Sequence, residues 1–320
     1  MCGIFGATSS IDIQKHLIEG LSRLEYRGYD SAGLSLISKS NRIKRIRCIG
    51  KVNQLKKLLS SSKLSGHCGI AHTRWATHGI PNLKNSHPHN YGEFSVVHNG
   101  IIENSDEIKQ SLKKKSHKFS SETDSEVIAH LLDHFSQKHK CLKDVLLNTF
   151  KKIRGSFALG IVYEKEPGKI IAASNGSPLL IGLGENINYI SSDIQALAAK
   201  TTKYIPLEDN EFVIISKDSV DLFNMRGRKI IRQPLVTKQS TGTVSKNGYK
   251  HFMQKEIFEQ KDIISRVIKD KLGNSKILPN IFGPKSDVML RSIKHVHFVA
   301  CGTSYNASLV AKYWIEEVSD

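Results

Sequence analysis

An α+β fold of layered sheets covered by helices is what this sequence predicts, and two observations carry the prediction. Short β-like runs bounded by Gly, Asn and Pro recur through the first 235 residues, and a few stretches among them repeat apolar residues at helical spacing. Many short strands with few helices bury their apolar faces by stacking sheets beneath helices. The chain has 320 residues and 39% hydrophobic content, enough for one large domain or two ordinary ones.

Taken in order, the apolar, Gly-punctuated stretch behind Cys2 (Gly3-Ile4-Phe5-Gly6-Ala7) reads as a first strand. Ile13, Leu17, Ile18, Leu21 and Leu24 then mark a helix. Two further helical patterns run through Val127, Ile128, Leu131, Leu132 and Phe135, and through Leu142, Val145, Leu146, Phe150 and Ile153. Strands are expected at 94–97, 157–163, 170–173, 179–181 and 212–215. From about 236 to 247 the composition turns polar, as in a linker. Beyond it, Met253, Ile257, Ile264 and Ile268 form one stripe of a long amphipathic helix. A strand over 295–300, a turn at Cys301-Gly302-Thr303-Ser304 and a helix from Tyr305 onward then make a phosphate cradle, because backbone N–H groups and the helix dipole point at an anion. The sequence ends at Asp320, within or just after that helix. One strand and one helix do not close a parallel sheet, so only the opening of such a domain is expected.

Composition narrows the function classes. No stretch approaches the roughly 20 apolar residues of a membrane span. No basic segment followed by an apolar run opens the chain, so a secretory signal is not expected. Cys2, Cys48, Cys68, Cys141 and Cys301 are scattered, odd in number and form no CxxC pair, which fits a reducing cytoplasm and argues against a disulfide framework or zinc ribbon. The net charge of +17 raises nucleic acid as a partner, but the lysines are spread out and no aromatics interleave with them as a base-stacking platform requires. A solvated basic surface that attracts anionic metabolites is the expectation instead.

Chemistry concentrates in a few segments. If Met1 is removed, Cys2 becomes the first residue, with a thiol titrating near 8.5 beside an α-amine titrating at roughly 7.7–8.0. A nucleophile and its general base then share one residue. The segments Glu25-Tyr26-Arg27-Gly28-Tyr29-Asp30-Ser31-Ala32-Gly33, His72-Thr73-Arg74-Trp75-Ala76-Thr77-His78-Gly79, His98-Asn99-Gly100 and Ser121-Glu122-Thr123-Asp124 are dense in polar groups and glycine. Each alone has a plain structural explanation: Asn99-Gly100 as a turn, Asp124 as a helix cap, Arg74 as a surface ion pair. His72, His78, His87 and His89 have neither the helical spacing nor the cysteine pair of a metal site, so no metal is expected.

Together with Cys2, these segments resemble the type 2 glutamine amidotransferases, and within them the glutaminase half of the glutamine–fructose-6-phosphate aminotransferases (glucosamine-6-phosphate synthases). Tyr249-Lys250-His251-Phe252-Met253-Gln254-Lys255-Glu256 in the connector and Cys301-Gly302-Thr303-Ser304-Tyr305-Asn306 at the phosphate turn extend the resemblance over essentially the whole chain. It implies a four-layer αββα sandwich of the N-terminal-nucleophile hydrolase type over 2–235 and a linker over 236–250. A connector helix and the first strand, turn and helix of an incomplete α/β sugar-isomerase domain would fill 251–320.

The resemblance also implies roles. Cys2 would attack the side-chain amide of L-glutamine, with Asn99 and Gly100 as the oxyanion hole. Arg74 would clamp the α-carboxylate and Asp124 the α-ammonium. Thr77, His78 and His87 match loop residues that order over substrate, Trp75 a residue that gates ammonia, and Arg27 a support for the nucleophile. Thr303 and Ser304 match phosphate-contacting positions of a fructose 6-phosphate site that is incomplete here. No cofactor is implied, nor a nucleic-acid or membrane partner; the family is usually homodimeric. The rival expectations are a glutaminase serving another acceptor and a non-catalytic remnant or sugar-phosphate sensor.

Overall fold

A computed structural model of the chain describes residues 2–26, 28–62, 64–76, 79–236, 248–269, 272–273, 276–277 and 286–319. It divides into two compact units, Met1–Ser245 and Lys246–Asp320.

In the first unit the early strands are β1 (Gly3–Ser9), β2 (Ser31–Ile37), β3 (Ile43–Ile49), β4 (Cys68–Arg74), β5 (His89–Tyr91) and β6 (Phe94–Ile102). The later ones are β7 (Gly155–Tyr163), β8 (Ile170–Asn175), β9 (Leu179–Leu183), β10 (Ile187–Ser191) and β11 (Lys203–Leu207). They are followed by β12 (Glu211–Ile215), β13 (Val220–Asn224), β14 (Lys229–Ile230) and β15 (Leu235–Val236). The helices are α1 (Gln14–Ser22), α2 (Val52–Ser60), α3 (Ser105–Lys113), α4 (Glu126–Ser136), α5 (Leu142–Phe150) and α6 (Ile194–Ala198). Among the described residues one antiparallel sheet has eight strands in the order β15-β11-β9-β10-β1-β4-β2-β3, and a second has seven in the order β14-β13-β12-β8-β7-β6-β5.

Side-chain alternation decides how these sheets stack. On β1, Ile4 points into a core shared with Ile70, Val97, Ala158, Ile170 and Ile190, drawn from both sheets. Its neighbour Phe5 points the other way, into a core with Leu17 and Leu21 of α1 and Leu55 of α2. On β6, Val97 faces the gap between the sheets while Phe94 and Val96 pack under Val127, Ile128 and Leu132 of α4 and Leu146 of α5. Two sheets face to face, each covered outside by helices, are the expected αββα sandwich. Because both faces of the inner strands are covered, β1, β2 and β4 are buried at every position.

The strands expected around 94, 157, 170, 179 and 212 lie within β6, β7, β8, β9 and β12. The third helical pattern stops at Phe150, so Ile153 falls in the turn before β7.

The second unit contains α7 (Phe252–Lys269), the two-residue strands β16 (Leu272–Gly273) and β17 (Lys276–Ile277), α8 (Ser286–Arg291) and α9 (Thr303–Ser319). The strand expected over 295–300 does not form: these residues carry no regular structure and are exposed. A strand satisfies its N–H and C=O groups only through a neighbour, and it has no partner strand among the described residues. The turn and helix after it do form, with Gly302 at φ +62° leading into α9. Of the expected linker, residues 237–247 lie outside the described residues.

Candidate active site

The site begins with strand register. β1 pairs antiparallel with β4, Gly3 opposite Thr73 and Ile4 opposite His72, which brings Cys2 beside Arg74 at the end of the sandwich. By alternation Cys2, His72 and Arg74 share the face of Ile4 and Ile70, toward the second sheet. Across the gap, Asn99 shares the face of Val97 on β6. The Asn99 Nδ2 donates to the Cys2 carbonyl oxygen at 3.1 Å, closing the two sheets over the first residues of β1.

The sequence-predicted residues converge here. A cleft of about 20 Å³ is lined by Cys2, Arg74, Trp75, His87, Gly100 and Asp124, with His98, Thr123 and Ser125 completing the wall. That volume holds about one water, so a glutamine enters only as side chains or loops move aside. The Cys2 Sγ accepts from the Trp75 backbone N–H at 3.3 Å and lies 3.5 Å from the Trp75 carbonyl oxygen. Burial pushes the Cys2 thiol above its ordinary value, against the opposing pull of the Trp75 hydrogen bond and the Arg74 charge. Arg74 is 3% exposed, and its Nη2 donates to the Gly79 carbonyl oxygen at 3.0 Å. Asp124 is half-buried, and its Oδ2 accepts from the Ile102 backbone N–H at 2.7 Å. The carboxylate therefore also fixes the end of β6.

Gly100 has φ +130°, and a Cβ there would lie 2.1 Å from the Ser156 carbonyl oxygen. No residue with a side chain fits there, and Gly100 presents only backbone to the cleft wall. A Cβ on Gly28 would meet the Arg74 carbonyl carbon at 2.7 Å, which explains why the loop before β2 carries glycine where it crosses the end of β4. In the same loop Asp30 donates its backbone N–H to the Arg74 carbonyl oxygen at 3.1 Å and accepts through Oδ2 from the Ala76 N–H. Asp30 thus braces the Arg74–Trp75 turn, a task that the dense motif around it signals only in general terms.

Four buried histidines lie in and behind the cleft. His72 and His87 rings stand 4.2 Å apart, and His87 and His89 rings 4.6 Å. His98 Nδ1 is 2.8 Å from Ser125 Oγ, and His89 Nε2 is 3.1 Å from Thr123 Oγ1. Burial pushes His72 and His89 down to about 3, with hydrogen bonds to Asn99 and the His98 carbonyl opposing at His72 and the Glu126 charge opposing at His89. Burial also holds His87 well below its usual value and lowers His98, the latter against the Asp124 charge. The four are neutral imidazoles, and Arg74 supplies the permanent positive charge. No group of three or more His, Cys, Asp or Glu side chains able to hold a metal occurs among the described residues.

Glu126, 3% exposed, opens α4 behind the Ser121–Asp124 segment. Its desolvation is outweighed by hydrogen bonds, among them the backbone N–H and hydroxyl groups of Ser120 and Ser121, which hold its carboxyl well below the usual range. Glu122 and Asn85 exchange hydrogen bonds at 3.0 and 2.9 Å, tying the Ser121–Asp124 segment to the loop that carries His87.

His87, 5% exposed, lies on the loop before β5 and lines the cleft. Arg27, Thr77 and His78 lie outside the described residues. Trp75 is exposed, its ring edge-on to Tyr29 at 5.4 Å. Thr303 and Ser304 belong to the second unit, exposed at the start of α9. His72, Asp30 and Glu126 are the positions to which the sequence assigns no task of their own.

Residues 72–199 match the family model described as a glutamine amidotransferase domain. The chain is 42% identical over 320 residues to a glutamine–fructose-6-phosphate aminotransferase (isomerizing) of Pseudomonas putida, covering all of this chain and 52% of the relative. It is 44% identical to the protein of the same description from Buchnera aphidicola, covering all of this chain and 53% of that one. The chain thus spans about half the length of the curated relatives it matches. Among solved structures it resembles glutamine phosphoribosylpyrophosphate amidotransferase of B. subtilis, with a TM-score of 0.61 and 25% identity over 70% of this chain and 49% of that one.

Proposed function

The chain carries a glutamine amidotransferase domain and is related along its whole length to the first half of the glutamine–fructose-6-phosphate aminotransferases, and on that premise we propose that Cys2 hydrolyses L-glutamine. The observation that carries this is the convergence of a thiol, an amide donor, a glycine backbone, a buried guanidinium and a carboxylate on one cleft. An amino acid with a side-chain amide presents three features to recognise, an α-carboxylate, an α-ammonium and a carbonyl that turns anionic. Arg74, Asp124 and the Asn99–Gly100 pair answer them in that order.

Removal of Met1 frees the Cys2 α-amine as base. The thiol attacks the amide carbon as its proton passes to that amine, and the carbonyl electrons move to an oxygen held by Asn99 Nδ2 and Gly100 N. Collapse of the tetrahedral centre expels ammonia, which takes the proton from the amine, and leaves a γ-glutamyl thioester. Water, deprotonated by the same amine, attacks the thioester; glutamate departs and the thiol is restored. The raised thiol value makes this base necessary, because little thiolate exists beforehand.

The relatives' description supports fructose 6-phosphate as the ammonia acceptor in the whole protein, with Thr303 and Ser304 among its phosphate contacts, Trp75 at the exit for ammonia, and His78, Thr77 and Arg27 serving the glutamine site. The domain limits proposed are 2–235 for the glutaminase and 251–320 for the connector and sugar-isomerase opening. No helix among the described residues is long and apolar enough to cross a membrane, and unpaired cysteines support a cytoplasmic setting.

The test is labelling with a diazo-ketone analogue of glutamine, read by intact and N-terminal peptide mass. Loss of Met1 and one adduct on Cys2, blocked by glutamine, is the expected result. Retained Met1, or no glutamine-protected adduct, would sink the proposal.

A further inference from the structure

One buried side chain at the cleft takes no part in the chemistry above. His72 is 1% exposed on the inner face of β4, two residues before Arg74. Its Nε2 lies 3.0 Å from the His98 carbonyl oxygen and 3.0 Å from Asn99 Oδ1. A backbone carbonyl only accepts, so Nε2 carries the proton. Burial keeps the ring neutral, so Nδ1 carries none. The same N–H also reaches the Asn99 side chain, and this second contact is favourable only with the amide oxygen facing it, because the NH₂ end would set donor against donor.

That fixes the polarity of a group that is otherwise free to choose. The terminal torsion of an asparagine is roughly two-fold, and its two ends have nearly the same shape. With the oxygen held by His72, the NH₂ end faces Cys2, where it donates to the Cys2 carbonyl oxygen at 3.1 Å. Turned over, the amide would present its oxygen toward Cys2 and repel an oxyanion instead of binding it. We propose that His72 is a positioning residue that sets the orientation of the Asn99 carboxamide across the gap between the two sheets, and so aims its Nδ2–H at the developing oxyanion.

The proposal rests on Asn99 being an oxyanion donor, as argued above. His72 itself exchanges no proton during turnover. Two features make histidine suitable: its Nε2–H reaches both acceptors from a strand in the opposite sheet, and its neutrality avoids burying a charge. The ring also packs against His87 at 4.2 Å. If His72 were only packing, or only satisfying the His98 carbonyl, its loss would lower stability and leave the turnover of folded protein intact.

The experiment measures glutamate release by the full chain, Met1 removed, in four variants. His72→Phe keeps a ring and deletes the donor. His72→Gln places an amide N–H at a similar reach. Asn99→Ala and the double variant His72→Phe/Asn99→Ala complete a cycle. Asn99→Ala is expected to lower kcat by about 10²–10³-fold, as for loss of one oxyanion donor. His72→Phe is expected to lower kcat by about 10–10²-fold with KM within about twofold, because the donor is present but no longer aimed. His72→Gln should recover most of that loss, and the double variant should be no slower than Asn99→Ala alone. Alkylation of Cys2 by iodoacetamide, which forms no oxyanion, should be unchanged.

Full kcat in folded His72→Phe, a loss confined to KM, or a loss that adds fully to that of Asn99→Ala would overturn the proposal. Unchanged kcat in Asn99→Ala would instead overturn the oxyanion assignment itself. A measurement independent of turnover and of any variant's folding is the ¹⁵N shift pair of the His72 imidazole. The proton is expected on Nε2; a proton on Nδ1 would leave Asn99 unoriented and end the proposal.

Discussion

The two units treat their apolar side chains in opposite ways. In the sandwich, Phe5, Leu17, Leu34, Ile70, Phe94 and Phe212 are fully buried. In the second unit α9 has no buried residue, and Tyr313, Trp314 and Val318 are 66%, 67% and 85% exposed. Both regions have sequences that form helices. The difference is that α1, α4 and α5 each lie on a sheet, whereas the described residues of the second unit include no sheet larger than the two-residue pair β16–β17. Helix formation needs only local propensity; burial needs a second layer.

The histidines differ in the same way. His72, His87, His89 and His98 are sealed between strands of the first unit, while His295 and His297 in the second are exposed. Among the described residues, imidazoles neutral by desolvation and a cleft built from buried polar groups occur in the first unit alone.

Four experiments break or sharpen the contrast. The largest effect is expected at the thiol: Cys2→Ala should abolish glutamate release while leaving the thermal transition of the sandwich in place, as read by calorimetry alongside turnover. Residual turnover above the uncatalysed rate would place the nucleophile elsewhere.

Acid should undo the first unit next. His72 and His89 have native values of about 3, and His87 and His98 are lowered too, against an ordinary 6.5. The unfolded chain binds more protons than the folded one in that window, so stability is whole above pH 6.5 and falls as pH drops toward the native values. Each group weakens the fold by about 1.4 kcal/mol per pH unit, so His72 and His89 over two units amount to about 5.5 kcal/mol, with His87 and His98 acting in the same direction. That reaches the lower end of the roughly 5–15 kcal/mol of a typical fold. Glu126 adds to the loss below about 4.5, where its carboxylate takes up a proton in the unfolded chain while the folded one stays ionised. Acid unfolding followed by circular dichroism should therefore have its midpoint between about pH 4 and 5. A sandwich intact at pH 3.5 would contradict the neutral, desolvated histidines.

A core truncation comes third. Phe5 is fully buried, 5.8 Å from the Tyr189 ring and against Gly20, so Phe5→Ala should cost about 3–5 kcal/mol in urea unfolding. The smallest effect is expected from the matching change outside the sandwich. Trp314→Ala removes a larger ring from an exposed face and should move the same transition by less than about 0.5 kcal/mol. Equal costs for the two substitutions would show that α9 is packed.

Much of the fold was legible because periodicity survives where one face of an element is dry. The stripe of Ile13, Leu17, Ile18 and Leu21 gave α1, and the short β-like runs at 157–163 and 170–173 gave β7 and β8. β4 was not legible as a strand. Its sequence, Cys68-Gly69-Ile70-Ala71-His72-Thr73-Arg74, ends in three polar residues that look like a loop, yet all seven are buried because both faces of the strand are covered. The reverse error occurred at 295–300, where a locally plausible strand has no neighbour among the described residues.

The cleft was legible by residue type: Cys2, Arg74, Trp75, Asn99, Gly100 and Asp124 stand in recognisable segments, and the chemistry of an amide substrate asks for such groups. The sequence by itself determined that set, together with the glycine at position 100 that lets the backbone come within contact of Ser156. Tertiary structure alone decided which atoms face one another. His72 and Asn99 lie 27 residues apart on strands of different sheets, and their hydrogen bond exists because sheet stacking turns the inner faces of β4 and β6 toward each other. Strand alternation assigns a side chain to one of two faces; only the packed layers determine which face meets which.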